Sequence, residues 1–372
     1  MKILYISASI LPSQYANSVH VMKMSQALAR NGHQVTLFGI QGSIEEEDKY
    51  EYYNVDPVFD LKLIRPGRLA ILRKMKAILD LSREYDLIYT RYTIAAFLVS
   101  YLLGRQVIYE YHGIMESVIN RWLEQLLSRK KNVRHVFITE SLRKAYEQMN
   151  PTLNDKDCLV LADCADQPEL PMRASHGKPM TCGYIGSFQK GKGVELILEI
   201  AAACREMQFH IVGGKKEEIE AFQEQYPGEN IIWHGFVRQK EAMKILYDDI
   251  DIALLPNQRN MMVGKKGMTD IGAYTSPMKL FEYMSYGKAI VASRLPVLQE
   301  VICDGRNALL ADCGDVQEWI TAIGRLQQDE TLFETIRMHA YEDFIRKYTW
   351  ESRAQRAVEG LLEIRKKRRK PR

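Results

Sequence analysis

Short apolar runs rich in β-branched residues alternate with helical periodicity along nearly the whole chain. Residues 2–7, Lys-Ile-Leu-Tyr-Ile-Ser, read as a buried strand. Over 18–31 the apolar residues Val21, Met24, Ala27 and Leu28 share one helical face. Asn31-Gly32 ends that helix, because glycine accepts the left-handed position after the last turn. Strands follow at 34–38, 86–90, 106–110 and 134–138, with helical stretches between them. The rhythm pauses over about 163–180, where Pro168, Pro171, Pro179 and Gly177 fall. It resumes with a strand at 181–185, a helix at 194–203, a strand at 208–212 and a helix at 216–225. Strands at 231–233 and 252–255, a helix at 277–286 and a strand at 289–292 complete the series, and a last helical pattern runs from Trp350 to about residue 369.

Strand–helix alternation is the signature of parallel sheets covered on both faces. The expected fold class is α/β, with two doubly wound Rossmann-like domains. Their boundaries are 1–166, a linker at 167–180, and 181–347, followed by a return helix and basic tail at 348–372. Two such domains facing one another put a cleft at the carboxyl ends of both sheets, where open α/β sheets bind ligands. Candidate residues are therefore those that follow strands.

The chain has 372 residues, 46% hydrophobic and 26% charged, the balance of an ordinary folded protein. Residues 365–372 carry seven positive charges; without them the net charge of +4 becomes −3 for the remaining 364 residues. A nucleic-acid-binding surface is not indicated. The cysteines, Cys158, Cys164, Cys182, Cys204, Cys303 and Cys313, form no C-x-x-C pair and read as reduced thiols. The first eleven residues fit a strand better than a signal peptide. The apolar stretch 93–103 falls short of the roughly 20 residues a membrane span needs. A cytoplasmic protein is expected. The tail and the segment 65–76 (Arg65, Arg68, Arg73, Lys74, Lys76) have the charge to lie against an anionic membrane face, and the same residues also fit a solvated tail and a packed helix.

A nicotinamide cofactor is excluded by the turns. Ala8-Ser9-Ile10-Leu11 follows the first strand with no G-x-G-x-x-G, and no acidic residue follows the second. Asp249-Ile250-Asp251 leads straight into a strand, and two carboxylates alone are a weak cation signal, so no metal is expected.

The segment from Ser276 to Met284 is more informative. Ser276 is a favoured N-cap and Pro277 suits the first helical position. A helix start there offers free N–H groups to a phosphate. Lys279 adds positive charge, and Glu282 is able to accept two hydrogen bonds from a ribose diol. An ordinary capped helix with Leu280, Phe281 and Met284 as its core face fits the same residues. The preceding loop, 256–275, is long and carries Arg259, Lys265 and Lys266, as functional loops often do.

Ser276-Pro277-Met278-Lys279-Leu280-Phe281-Glu282-Tyr283-Met284, followed by Gly287-Lys288-Ala289-Ile290-Val291-Ala292-Ser293, resembles the donor-binding helix and next strand of family-four retaining glycosyltransferases of the GT-B fold. The resemblance implies a donor site including Ser276, Pro277, Met278, Lys279 and Leu280, with Glu282 on the ribose. Tyr274 stands where the family has a first glutamate. Gly186-Ser187-Phe188-Gln189-Lys190-Gly191-Lys192-Gly193 resembles the family's phosphate loop. It implies Gly186 and Lys192 at the diphosphate, with Lys190 beside them and Ser187 in place of an arginine. Trp233-His234-Gly235-Phe236-Val237 resembles the nucleobase-reading segment and implies Gly235 and Phe236 there. Tyr109-Glu110-Tyr111-His112-Gly113 places His112 where the family has a histidine beside the donor sugar, hydrogen-bonding rather than abstracting a proton. Asn17, Ser18 and Arg91 are the implied acceptor-side residues, and His112 and Lys192 the catalytic pair.

The implied activity moves a sugar, with retention, from a nucleotide-diphosphate-sugar to a glycan or lipid-linked acceptor in bacterial surface polysaccharide or glycolipid synthesis. The nucleotide sugar is a co-substrate; no cofactor is implied. A sugar-nucleotide epimerase and a non-catalytic nucleotide-sugar-binding scaffold are the alternatives.

Overall fold

The computed structural model describes residues 1–13, 15–43, 48–65, 70–174, 179–263 and 269–361. Arg68, Lys265, Lys266 and the tail at 365–372 lie outside them. The chain forms two compact units: Met1–Ala162 with the chain from Trp350 onward, and Asp163–Thr349.

In the first unit the strands are β1 (Lys2–Leu11), β2 (Gln34–Gln41), β3 (Asp60–Ile64), β4 (Leu87–Thr90), β5 (Gln106–Tyr111), β6 (Val133–Phe137) and β7 (Cys158–Val160). They form a parallel sheet in the order β3-β2-β1-β4-β5-β6-β7. The helices are α1 (Ala16–Arg30), α2 (Lys49–Tyr52), α3 (Ala70–Ser82), α4 (Thr93–Leu102), α5 (Val118–Leu127) and α6 (Glu140–Met149). In the second unit β8 (Cys182–Ile185), β9 (Phe209–Val212), β10 (Ile231–Gly235), β11 (Ile252–Leu255), β14 (Ala289–Ser293) and β15 (Leu309–Ala311) form a parallel sheet in the order β10-β9-β8-β11-β14-β15. A short antiparallel pair, β12 (Met262–Val263) and β13 (Thr269–Asp270), sits in the long loop after β11. The helices here are α7 (Val194–Ala203), α8 (Lys216–Gln225), α9 (Gln239–Asp249), α10 (Met278–Ser285), α11 (Val316–Gln328) and α12 (Glu330–Lys347). The final helix α13 (Trp350–Val358) returns to the first unit and packs on α1.

The central strands are buried on both faces, which is why they read as continuous apolar runs. Ile3, Leu4, Tyr5, Ile6, Ile88 and Tyr89 are wholly buried in one sheet, and Ile252, Ala253, Leu254, Ile290 and Val291 in the other. β1 runs four residues past its expected end. Ser7 makes this possible: its Oγ accepts the Ser9 backbone N–H at 2.9 Å where the register against β2 shifts. Within the stretch read as a linker, 167–180, the Arg173 carbonyl accepts from Arg337; just before it, the Asp163 N–H donates to Ser276 Oγ. The Asp249–Asp251 pair opens β11, where Asp251 is buried and accepts the Thr181 N–H at 3.1 Å.

Candidate functional site

In the second unit, β8 ends at Ile185 and the chain turns through Gly186–Gly193 into α7. Two glycines fix this turn. Gly191 and Gly193 have φ of +93° and +77°. A Cβ on Gly193 would lie 2.0 Å from the Pro256 carbonyl oxygen, so only glycine lets the loop after β11 come so close. Lys192 is held between them, its N–H donating to the Gln189 carbonyl. Burial, reinforced by the nearby Lys279 charge, lowers its ammonium to about 8. Lys190, two residues earlier, is exposed.

The helix start differs from expectation by one residue. Pro277 is the N-cap of α10, which begins at Met278, and no side chain caps it. Ser276 is not the cap, because it is buried and its hydroxyl accepts the Asp163 N–H at 2.9 Å. The proline's fixed φ is compatible with an extended residue just outside the helix as well as with the first turn. Leu280, Phe281, Tyr283 and Met284 are buried, while Pro277, Met278 and Lys279 are partly open. The Ile185 N–H donates to the Tyr283 hydroxyl at 2.9 Å, tying α10 to the end of β8. Glu282 is buried with both oxygens engaged: Oε2 accepts from Lys279 Nζ at 2.6 Å and Oε1 from Gln239 Nε2 at 2.8 Å. Sequence reasoning missed Gln239; it opens α9 just after the segment read as nucleobase-binding. In that segment Phe236 is exposed and Gly235 takes a φ of +67°. His234 stacks on His210, with Nε2 and Nδ1 3.1 Å apart. Tyr274 is partly buried.

In the first unit, β5 delivers Glu110 and then His112. His112 Nε2 meets Glu110 Oε1 at 2.5 Å, and His20 Nε2 meets the same oxygen at 3.0 Å. Arg353 of α13 reaches Oε1 at 3.0 Å and Oε2 at 3.3 Å, and the Tyr89 hydroxyl donates to Oε2. Burial alone would raise the Glu110 carboxyl; Arg353, His20 and His112 outweigh it and hold the group well below the usual range. His112 is lowered to about 4 by burial and by the Arg91 charge, with Glu110 acting in the opposite sense. Arg91 is partly buried, and its Nη1 has no hydrogen-bond partner among the described residues. Asn17 is exposed. Ser18 is fully buried, and its hydroxyl donates to the Ser13 and Tyr15 carbonyls at 2.8 and 2.7 Å. Serine at a helix start satisfies local backbone groups in this way.

His20, Glu110 and His112 could by distance alone hold a cation, their ligand atoms lying within 4.8 Å of one another. Here both imidazoles and the Arg353 guanidinium converge on one oxygen of Glu110. A metal would have to share that carboxylate with a buried guanidinium, so the set fits an ion-pair network better.

Residues 179–329 match the family described as glycosyl transferases group 1, and residues 18–152 match glycosyltransferase family 4. The chain belongs to the group 1, family 4 glycosyltransferases. Among solved structures of this fold, HepE of Anabaena in complex with UDP superposes with a TM-score of 0.74 at 18% identity, covering 98% of this chain and 100% of that one. A glycosyltransferase of Rickettsia africae gives 0.73 at 12% identity over the full length of both. These likenesses show the GT-B fold. Among curated relatives, the D-inositol 3-phosphate glycosyltransferase of Corynebacterium urealyticum is 24% identical over 204 residues, which is 50% of this chain and 44% of that protein. The chain thus aligns with less than half the length of that relative.

Proposed function

We propose that this family 4 member transfers a sugar, with retention of configuration, from a nucleoside-diphosphate sugar to a glycan or lipid-linked acceptor. The observation that carries the reading is the grouping in the second unit of Lys192, Lys279 and the buried Glu282 around the open start of α10. In this reading the diphosphate lies against the α10 N–H groups and the two lysines, and Glu282 takes the ribose hydroxyls. As the sugar–phosphate bond breaks, the leaving diphosphate gains negative charge, which fixed cations stabilise with no reorganisation. His112 is the first unit's contact to the sugar, and Asn17 and Arg91 serve the acceptor. The UDP and UDP-glucose complexes of HepE make UDP-sugars the first donors to test.

A peripheral position at an anionic membrane belongs to the same proposal. No helix among the described residues is long and apolar enough to cross a bilayer. On α5, however, Val118, Ile119 and Trp122 are exposed by 71, 69 and 55%. Arg121, Arg129, Lys130 and Lys131 lie in or just after that helix. Apolar residues with a tryptophan among cations have the chemistry of an interfacial helix.

Incubation with UDP-, GDP- and ADP-sugars tests the proposal. Slow release of free nucleoside diphosphate from one of them is expected. An epimerised nucleotide sugar without release would point to an isomerase, binding without turnover to a scaffold, and failure to bind any of them would overturn the reading.

A further inference from the structure

Glu110 is an unusual strand residue: a carboxylate 1% exposed in the middle of a parallel sheet. Burying an unpaired carboxylate costs far more than a domain's net stability, so its partners define it. Arg353, also 1% exposed, comes from a helix 243 residues later in the chain. Its other donors are engaged too, Nε on the Ala162 carbonyl at 2.9 Å, Nη2 on the Leu161 carbonyl at 3.2 Å and Nη1 on the Tyr89 hydroxyl at 3.3 Å. Trp350, three residues before it, packs edge-on against the His20 ring at 5.1 Å, and His20 packs likewise against His112. The first turn of α13 therefore closes a cluster whose other end is His112.

The chemistry of that end is constrained. An ionised carboxylate only accepts hydrogen bonds, and a neutral imidazole carries a single N–H. With Nε2 at 2.5 Å from Glu110 Oε1, that N–H sits on Nε2, and Nδ1 is left as an acceptor. A neutral ring so fixed has nothing to donate to a phosphate oxygen, but it accepts readily from a hydroxyl.

We infer that Arg353 and Glu110 are positioning residues that lock His112 in its Nε2–H tautomer, so that His112 recognises a hydroxyl of the transferred sugar through Nδ1 rather than the diphosphate. This rests on the proposed transferase reading. The returning helix thereby acquires a chemical role, since α13 brings the cation that lets Glu110 stay ionised inside the sheet.

The test compares wild type, Arg353→Lys, and the double variant Glu110→Leu with Arg353→Leu. The double change removes both buried charges together, which is often tolerated where removing one is not. Histidine ring ¹⁵N resonances, assigned to His112 by their loss in His112→Asn, report the tautomer. The wild type should show Nε2–H alone at pH 7, and the double variant a mixture. Turnover of UDP-glucose, or of whichever nucleotide sugar the wild type cleaves, should fall about 10- to 100-fold, the range for a misplaced contact group. The Kd for UDP, which is held by the second unit, should stay within about twofold on the same reasoning. Arg353→Lys, which keeps the charge but loses the two-pronged contact, should fall between. A structural role alone would lower the melting temperature without moving the tautomer. The inference is overturned if wild-type His112 carries its proton on Nδ1, or if the double variant keeps a single tautomer or full turnover. Should the double variant not fold, the wild-type tautomer and Arg353→Lys decide the matter. A wild type with the expected tautomer but no turnover would sink the transferase reading and leave the lock standing.

Discussion

Lys192 supplies a titration that tests the proposed diphosphate site. Burial and the Lys279 charge bring its ammonium to about 8, so it is mostly charged at pH 7 and mostly neutral at pH 9. A bound diphosphate favours the charged form, so affinity should be full below that value and fall as pH rises through it. If only the charged form binds, the apparent Kd rises about tenfold between pH 7 and pH 9, equivalent to about 1.4 kcal/mol. The terminal phosphate of UDP ionises near about 6 and contributes little in that window. Lys192→Met should flatten this slope and weaken binding at pH 7 by about 1.5–3 kcal/mol, the worth of a hydrogen bond to a charged group. Lys279→Met should move the midpoint upward, since the Lys279 charge is one of the causes of the low value. The assay is calorimetric titration with UDP at pH 7, 8 and 9 at fixed ionic strength, because screening alters charge–charge terms. A flat wild-type profile, or a Lys192→Met profile with the wild-type slope, would refute the placement of this lysine at the diphosphate.

Other expectations follow from the same geometry. The Glu124 carboxyl, raised by burial to about 7 and accepting from the Tyr109 and Tyr146 hydroxyls, keeps its proton in the folded protein up to that pH. Its contribution is therefore present below its unfolded value of about 4.3 and lost as pH rises through 7; relative to Glu124→Gln, the wild type should lose about 2–3 kcal/mol between pH 5 and pH 8, read by denaturant unfolding. Gly193→Ala should abolish UDP binding and lower the melting temperature, because its Cβ would meet the Pro256 carbonyl at 2.0 Å; wild-type UDP affinity would contradict the account of that loop. Trp122 fluorescence should shift to the blue with vesicles containing phosphatidylglycerol and not with phosphatidylcholine alone, and Val118→Ser with Ile119→Ser should abolish the shift. No shift with anionic vesicles would remove α5 as a membrane contact.

The central strands were legible because burial on both faces writes itself as uninterrupted apolar runs such as Ile252-Ala253-Leu254-Leu255, whereas the helices α9, α11 and α12 went unread. β3, β7 and β15 also went unread: they are short strands at sheet edges, and β3 and β7 are half-exposed as well. Of the candidate site, Lys279 and Glu282 were readable since they fall within two turns of a helix-start signal, while Lys192 was implied only by the resemblance of its glycine-flanked loop. Gln239 was not readable, because its pairing with Glu282 spans 43 residues of chain. Glu110 stood in plain view beside His112, but its meaning depends on Arg353, which local spacing does not connect to it. Ser276 reads as a cap by its place before the helix, but its hydroxyl accepts the Asp163 N–H from 113 residues away, a pairing that local spacing does not show.

The central claim is that the second unit holds a nucleoside diphosphate through Glu282 and its neighbours. Titration of UDP, GDP and ADP into the wild type and Glu282→Ala tests it most directly. One nucleotide should bind the wild type and bind Glu282→Ala at least about thirtyfold more weakly, as expected when a carboxylate accepting two hydroxyls is removed. Equal affinity in the two proteins, or no binding by the wild type to any of the three, would contradict the account.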